Sequence, residues 1–248
     1  MTRKLSALAL ASVIALTVFG VATATSGGNS ESKGKTAAKK PLEFEAHDLY
    51  IETNDTDKDA GLQLFADAEQ WRHFRLLDTH GNTMVNINTK GRVRKVGMSE
   101  LFMEASEPSF DEVPLSKFKK HFPEGKYRFR GETISGRKMV GSDKLSHLIP
   151  DGPNLTFPKK SSTLDPDGFV VTWDPVRKPA GVDIVTYEVI VEQGDRMFDM
   201  VLPGDATSGT IPGEFLKAGT KTAGEVLARD KSGNQTITQF PAGLTTSG

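Results

Sequence analysis

Phe169-Val170-Val171-Thr172-Trp173-Asp174-Pro175, followed by Ile184-Val185-Thr186-Tyr187-Glu188-Val189-Ile190-Val191, is the stretch on which the fold turns. β-Branched and aromatic residues dominate both runs, as they do on a pleated, half-buried surface. Pro175 has no N–H for a ladder and closes the first run. Successive side chains of a strand point to opposite faces, so Tyr187, Val189 and Val191 share one face of the second run. Two strands separated by a short polar stretch imply an antiparallel, all-β arrangement.

Residues further on extend the pattern. Ile211, Leu216, Gly219-Thr220, Val226, Ala228 and Gly233 fall where a fifth strand, its following turn, a sixth strand and a final hairpin belong. With Trp173 as the aromatic between two sheets, this part of the chain, from about Asn154 to Ala242, resembles a fibronectin type III domain. The resemblance implies an immunoglobulin-like sandwich. It also implies a tyrosine early in the sixth strand whose hydroxyl secures the preceding corner, and the matching residue here is Thr222. Functionally it implies adhesion, receptor or spacer roles and a protein or cell-surface partner, because fold does not fix function.

Upstream, from Pro41 to Ile149, apolar residues again alternate in short runs: Leu49 and Ile51, Leu62 and Leu64, Met84-Val85-Asn86-Ile87, Tyr127 and Phe129, Met139-Val140. Turn residues separate them, with glycines at His80-Gly81, Lys90-Gly91, Glu124-Gly125 and Ser135-Gly136. This predicts a β-sandwich-like domain over 41–149, with one short helix from Pro114 to Phe122. Leu115 and Phe118 face the core of that helix and Pro123 ends it. Ile149-Pro150-Asp151-Gly152-Pro153 is the expected junction with a second domain over 150–243, leaving 244–248 as a tail.

Arg3 and Lys4 precede an apolar run from Leu5 to Val21 that ends in Ala22-Thr23-Ala24. That pattern predicts a signal peptide over 1–24, cleaved after Ala24, and hence a secreted or periplasmic protein. A membrane would be engaged only if the leader stayed uncleaved. Residues 25–40 are dominated by Ser, Gly, Lys and Ala, too little apolar surface to offset ordering, and predict a flexible linker. There are no cysteines among the 248 residues, which removes disulfides, thiol catalysis and lipid attachment at a cysteine. Loss of Arg3 and Lys4 with the leader leaves 29 basic against 32 acidic residues, a balance that argues against nucleic acid as a partner.

Catalytic signatures are lacking. The histidines (His47, His73, His80, His121, His147) show no zinc spacing, and neither G-x-S-x-G nor a phosphate-binding glycine loop occurs, so no enzyme and no cofactor is expected. The acids Glu100, Glu104, Glu107, Asp111 and Glu112 read as a loop; paired carboxylates there would define the minority reading, a small hydrolase. Binding chemistry has three candidates. Asp55, Asp57 and Asp59 alternate along a strand end and loop and can present oxygens to calcium, with Glu52 or Asp67 assisting. Trp71 and Phe74 can form a sugar-stacking platform if they are exposed, or plug a sandwich if they are not. Arg128 and Arg130 flank Phe129 on one strand face, beside Arg92, Arg94 and Lys95 if the strands are neighbours, and can hold an anion or a polysaccharide.

Overall fold

The computed structural model describes residues 40–248; the expected leader, and the expected linker through residue 39, lie outside the described residues. Among the described residues no helix is long and apolar enough to cross a membrane.

The first half contains β1 (Leu42–Glu43), β2 (Ala46–Asn54), β3 (Asp59–Leu77), β4 (Thr83–Asn88), β5 (Met98–Glu104), β6 (Gly125–Thr133) and β7 (Lys138–Leu145). Helix α1 (Gly91–Val96) lies between β4 and β5, and α2 (Leu115–His121) between β5 and β6. Strand β3 organises this half. Its first part pairs with β2 and β5, its last part with β4 and β6. The register breaks between Asp67 and Trp71 and again before His73, and such bulges bend a strand and change its phase. Leu62, Leu64 and Ala66 before the breaks, Trp71 between them, and Phe74 and Leu76 after them all enter one core with Tyr127 and Phe129, the odd-numbered Trp71 facing inward because the phase shifts at each break. Full burial of each large side chain contributes roughly 1.5–3 kcal/mol.

Three expectations are corrected here. Residues 244–248 are not a loose tail, since Leu244 lies in a core and Thr245–Thr246 pair in parallel with Thr163–Leu164. Lys90-Gly91 opens the helix α1 instead of a hairpin, so α2 is not the only helix. Glu100 and Glu104 lie on β5, opposite Asp67 and Gln63, not in a loop. The apolar neighbours Leu101 and Met103 pack against the core and hold that strand in the sheet.

The second half contains β8 (Asn154–Phe157), β9 (Thr163–Leu164), β10 (Gly168–Asp174), β11 (Ile184–Gln193), β12 (Arg196–Pro203), β13 (Ser208–Pro212), β14 (Ala223–Asp230), β15 (Gln235–Gln239) and β16 (Thr245–Thr246). One sheet runs β13-β10-β8 and the facing one β15-β14-β11-β12. Three strands against four, in this order, is the fibronectin type III partition of an immunoglobulin-like sandwich. Between the sheets Trp173 packs on Tyr187 at 5.2 Å between ring centroids, with Val189, Val191, Val226, Ala228 and Ile211 around them. Thr222 fills the corner position by a shorter route. It is buried, its hydroxyl donates to the Thr220 carbonyl oxygen at 3.2 Å, and it accepts from Gln193 Nε2 at 2.8 Å.

The two halves have separate cores but share a sheet. β15 pairs in parallel with β2, which makes β1-β7-β6-β3-β2-β15-β14-β11-β12 continuous within the compact unit Pro41–Gly248. An otherwise open edge of the fibronectin-type sheet is thereby covered. The seam is polar and closely bonded. Asn234, fully buried, accepts from the Ile51 N–H at 2.8 Å and donates to the Ser146 and Leu148 carbonyl oxygens at 2.9 Å each. Thr53 and Thr236 hydroxyls meet at 2.7 Å, and Arg229 pairs with Asp48 while lying 4.7 Å from the Tyr50 ring centre.

Candidate anion-binding face

Strands β3, β6 and β7 each turn one set of side chains inward and the other outward. Tyr127, Phe129 and Gly131 of β6 are buried, leaving Lys126, Arg128 and Arg130 on the outer face. The register puts Arg75 of β3 directly beside Arg130, and Lys126 beside Lys144 of β7. Like charges at neighbouring positions destabilise a sheet. Among the described residues no carboxylate lies within ion-pair distance of Arg75, Lys126, Arg128, Arg130 or Lys144. The acid closest to this group in register, Glu132, is already engaged. Hydrogen bonds from Lys138 and then Arg72 hold its carboxyl down at about 2.

Two adjoining hollows of about 310 and 400 Å³ share Arg130 and Val140 in their walls. Arg75, His73 and Lys138 also line the first; Lys126, Arg128, His47 and one carboxylate, Glu43, line the second, Glu43 making no ion pair with the cations there. Arg130 is oriented by its own fold, since its Nη1 donates to the carbonyl oxygens of Phe129 at 2.8 Å and Gly141 at 3.2 Å. The floor depends on a missing side chain. A Cβ at Gly141 would come within 2.8 Å of the His47 ring, which stacks on Phe129 at 4.8 Å. His47 Nδ1 is buried there without a hydrogen-bond partner. Paired guanidinium and ammonium groups over a shallow hollow suit a carboxylate or sulfate on an extended ligand.

The residues expected from sequence are distributed unevenly. Arg128 and Arg130 do share this face, but Arg92, Arg94 and Lys95 are on α1 and not on a neighbouring strand. Trp71 and Phe74 are corrected from platform to core: they are 1% and 0% exposed, and Trp71 Nε1 donates to the Ser99 carbonyl oxygen. A sugar can stack only on an exposed ring face. Asp55, Asp57 and Asp59 do not converge on a point. Asp55 and Asp57 occupy the β2–β3 turn, where Asp55 pairs with Lys58 and Asp57 accepts from Asn54 and from Gln239, while Asp59 opens β3 with its Oδ1 buried and without a hydrogen-bond partner. Asx-type bonding from Asn54 Oδ1 to the Thr56 and Asp57 N–H groups shapes that turn.

A different set of acids does meet, and sequence reading missed it as a set. Glu52 of β2, Glu104 at the end of β5 and Glu107 just beyond it bring carboxylate oxygens within 4.8 Å of one another. Burial pushes Glu52 up to about 7, against the hydrogen bond it receives from Gln235. Burial, reinforced by the charges of Glu52 and Glu104, pushes Glu107 up to about 8. Burial also raises Glu225 to about 7, with Glu52 adding to it. The only sequence signal was the Glu104-x-x-Glu107 spacing at a strand end; the partner Glu52 is 52 residues upstream of Glu104 and joins it only through β3.

The architecture so defined is a fibronectin type III-type β-sandwich joined edge to edge with a second β half. No family model matches the chain, and no curated protein does. Among solved structures it is similar to the FN1–FN3 domains of chicken CNTN1, at 8% identity and a TM-score of 0.32, over 84% of this chain and 65% of that one. It is similar to the fn3 domain of the human collagen alpha-1(XX) chain at 22% identity and a TM-score of 0.29, over 42% and 90% of the two chains. A two-domain fibronectin type III segment of chicken tenascin matches at 13% identity and a TM-score of 0.29, over 80% and 96%. The chain thus spans 65% of the length of the CNTN1 segment.

Proposed function

We propose that the protein is an exported, non-enzymatic binding module that attaches to an acidic polysaccharide at a cell surface. The fibronectin-type half acts as a rigid spacer, and the outer face of β3, β6 and β7 carries the ligand. The observation behind this reading is the adjacency of Arg75 and Arg130 with no carboxylate to neutralise them. A sheet tolerates such a pair at some cost in stability, which a repeating anionic ligand offsets on binding. The acidic cluster does not favour a hydrolase, because Glu52 is 3% exposed and tied to Gln63 and Gln235, out of a sugar's reach.

Calorimetric titration of the full chain with polygalacturonate tests the reading. Binding should weaken steeply between low and high salt, as exposed charge pairing does. The double change Arg75→Ala and Arg130→Ala should reduce affinity at least about tenfold, the loss of about 1.4 kcal/mol that one or two exposed charge contacts supply. Binding that is insensitive to salt, or unchanged in the double variant, would refute it.

A further inference from the structure

We propose that Glu52, Glu104 and Glu107, together with the amide of Gln63, form a calcium site at the seam between the two halves. The donors are all oxygens, the set preferred by hard cations. Their mutual separations, all within 4.8 Å, are short enough for one ion to reach all three carboxylates. Oxygens across a calcium ion lie about 4.6–5.2 Å apart, whereas magnesium draws its ligands in to about 4.2 Å. The three carboxylates come from two segments, Glu52 from β2 and Glu104 and Glu107 from the end of β5 and the chain just beyond it.

Gln63 is the independent mark of a ligand. It is fully buried, and its Nε2 donates to Glu52 Oε1 at 3.3 Å and Glu104 Oε1 at 3.2 Å, so the amide head lies between two of the carboxylates. Its Oε1 has no hydrogen-bond partner. A buried amide oxygen left unpaired is costly. The two ends of an amide have nearly the same shape, so turning the group over presents Oε1 to the space the carboxylates surround, at the cost of the two hydrogen bonds its Nε2 makes to Glu52 and Glu104 without an ion. A cation there satisfies at once the unpaired oxygen and the crowded negative charge.

The placement of Glu107 fits the same purpose. The chain beyond β5 is fastened to β3 by the Ala105 N–H donating to the Leu62 carbonyl oxygen at 3.0 Å and the Phe110 N–H to that of Lys58 at 2.7 Å. This lays Glu107 over Gly61, where a Cβ would meet Glu107 Cγ at 2.9 Å. Glycine keeps the strand surface open for that carboxyl. Glu52 also accepts from Gln235 of β15, so an ion held by Glu52 fixes the first half against the fibronectin-type half. Asp55 and Asp57 face other partners, whereas Asp59, whose Oδ1 is buried without a hydrogen-bond partner, lies close enough for its charge to act on Glu107.

The test uses the full chain, stripped with EDTA and dialysed, titrated with calcium chloride by calorimetry and followed by thermal melts. The expected result is one calcium per chain, a raised melting temperature, and much weaker binding of magnesium. The combined change Glu104→Gln and Glu107→Gln should weaken calcium at least about tenfold, as loss of direct ligands does. That variant should melt no lower than the parent in EDTA, because it relieves repulsion, which shows that it folds. Asp55→Asn with Asp57→Asn should bind calcium normally. No heat and no melting shift at millimolar calcium, tighter binding of magnesium, or loss of binding only in the Asp55 and Asp57 variant would each overturn the assignment.

Discussion

Replacing Glu52 by Gln tests the electrostatics of the seam. Glu52 is 3% exposed, and burial raises it from an ordinary 4.5 to about 7. Between those values the folded chain holds a proton that the unfolded chain has released. Stability contributed by this group is therefore full below about pH 4.5, falls as pH rises, and is gone above about 7. A tenfold change in proton affinity is worth about 1.4 kcal/mol, so the loss amounts to about 3 kcal/mol at most. Glutamine keeps the shape and carries no charge. Gln63 can turn its unpaired Oε1 toward the new amide, and Gln235 can still donate to the new carbonyl oxygen, so the contacts to residue 52 are kept while the hydrogen bond from Gln63 to Glu104 is given up. The assay is urea unfolding at pH 5, 6, 7 and 8 in EDTA. Parent and variant should match within about 1 kcal/mol at pH 5, and the variant should be the more stable by about 1–3 kcal/mol at pH 8. A variant less stable than the parent at pH 8, or a stability difference that does not change with pH, would refute the reasoning.

Other outcomes follow from the same structure. Thr222→Val removes the acceptor for the buried Gln193 amide and should cost about 1–3 kcal/mol in urea unfolding. Asn234→Ala takes the Asn234 hydrogen bonds from the Ile51 N–H and from the Ser146 and Leu148 carbonyl oxygens at the seam, and should cost about 2–4 kcal/mol while the chain still unfolds in one transition. Trp71→Ala should cost about 3–5 kcal/mol by opening a cavity, and the parent's tryptophan emission, from two buried indoles, should resist acrylamide until the chain unfolds. Mass spectrometry of protein exported by a bacterial host should give a chain beginning at Thr25; a chain that retains residues 1–24 counts against the leader reading.

Much of the second half was legible because single residues there report on a large core. Trp173, Tyr187, Val189 and Val191 all lie in the interior as their alternation demands. In the first half the apolar pairs marked β2, β3, β4, β6 and β7 correctly, and Leu115–His121 fell inside the expected helix. Features that depend on pairing between distant segments were not legible. β2 and β15 meet across more than 180 residues through polar groups that carry no periodic signal. The same blindness hid Arg75 beside Arg130 and Glu52 beside Glu104. Helix α1 was missed for another reason: it buries no residue, and Val93 and Val96 are exposed, so no apolar stripe marks it. Trp71 and Phe74 stayed open between platform and core because spacing along the chain does not say which face of a bulged strand is inside.

Hydrogen–deuterium exchange of the full chain, with and without polygalacturonate, addresses the binding face most directly. The account predicts added protection in β6, β7 and the last part of β3, with the β8–β14 sandwich unchanged. Protection confined to the fibronectin-type half, or no protection at saturating ligand, would contradict it.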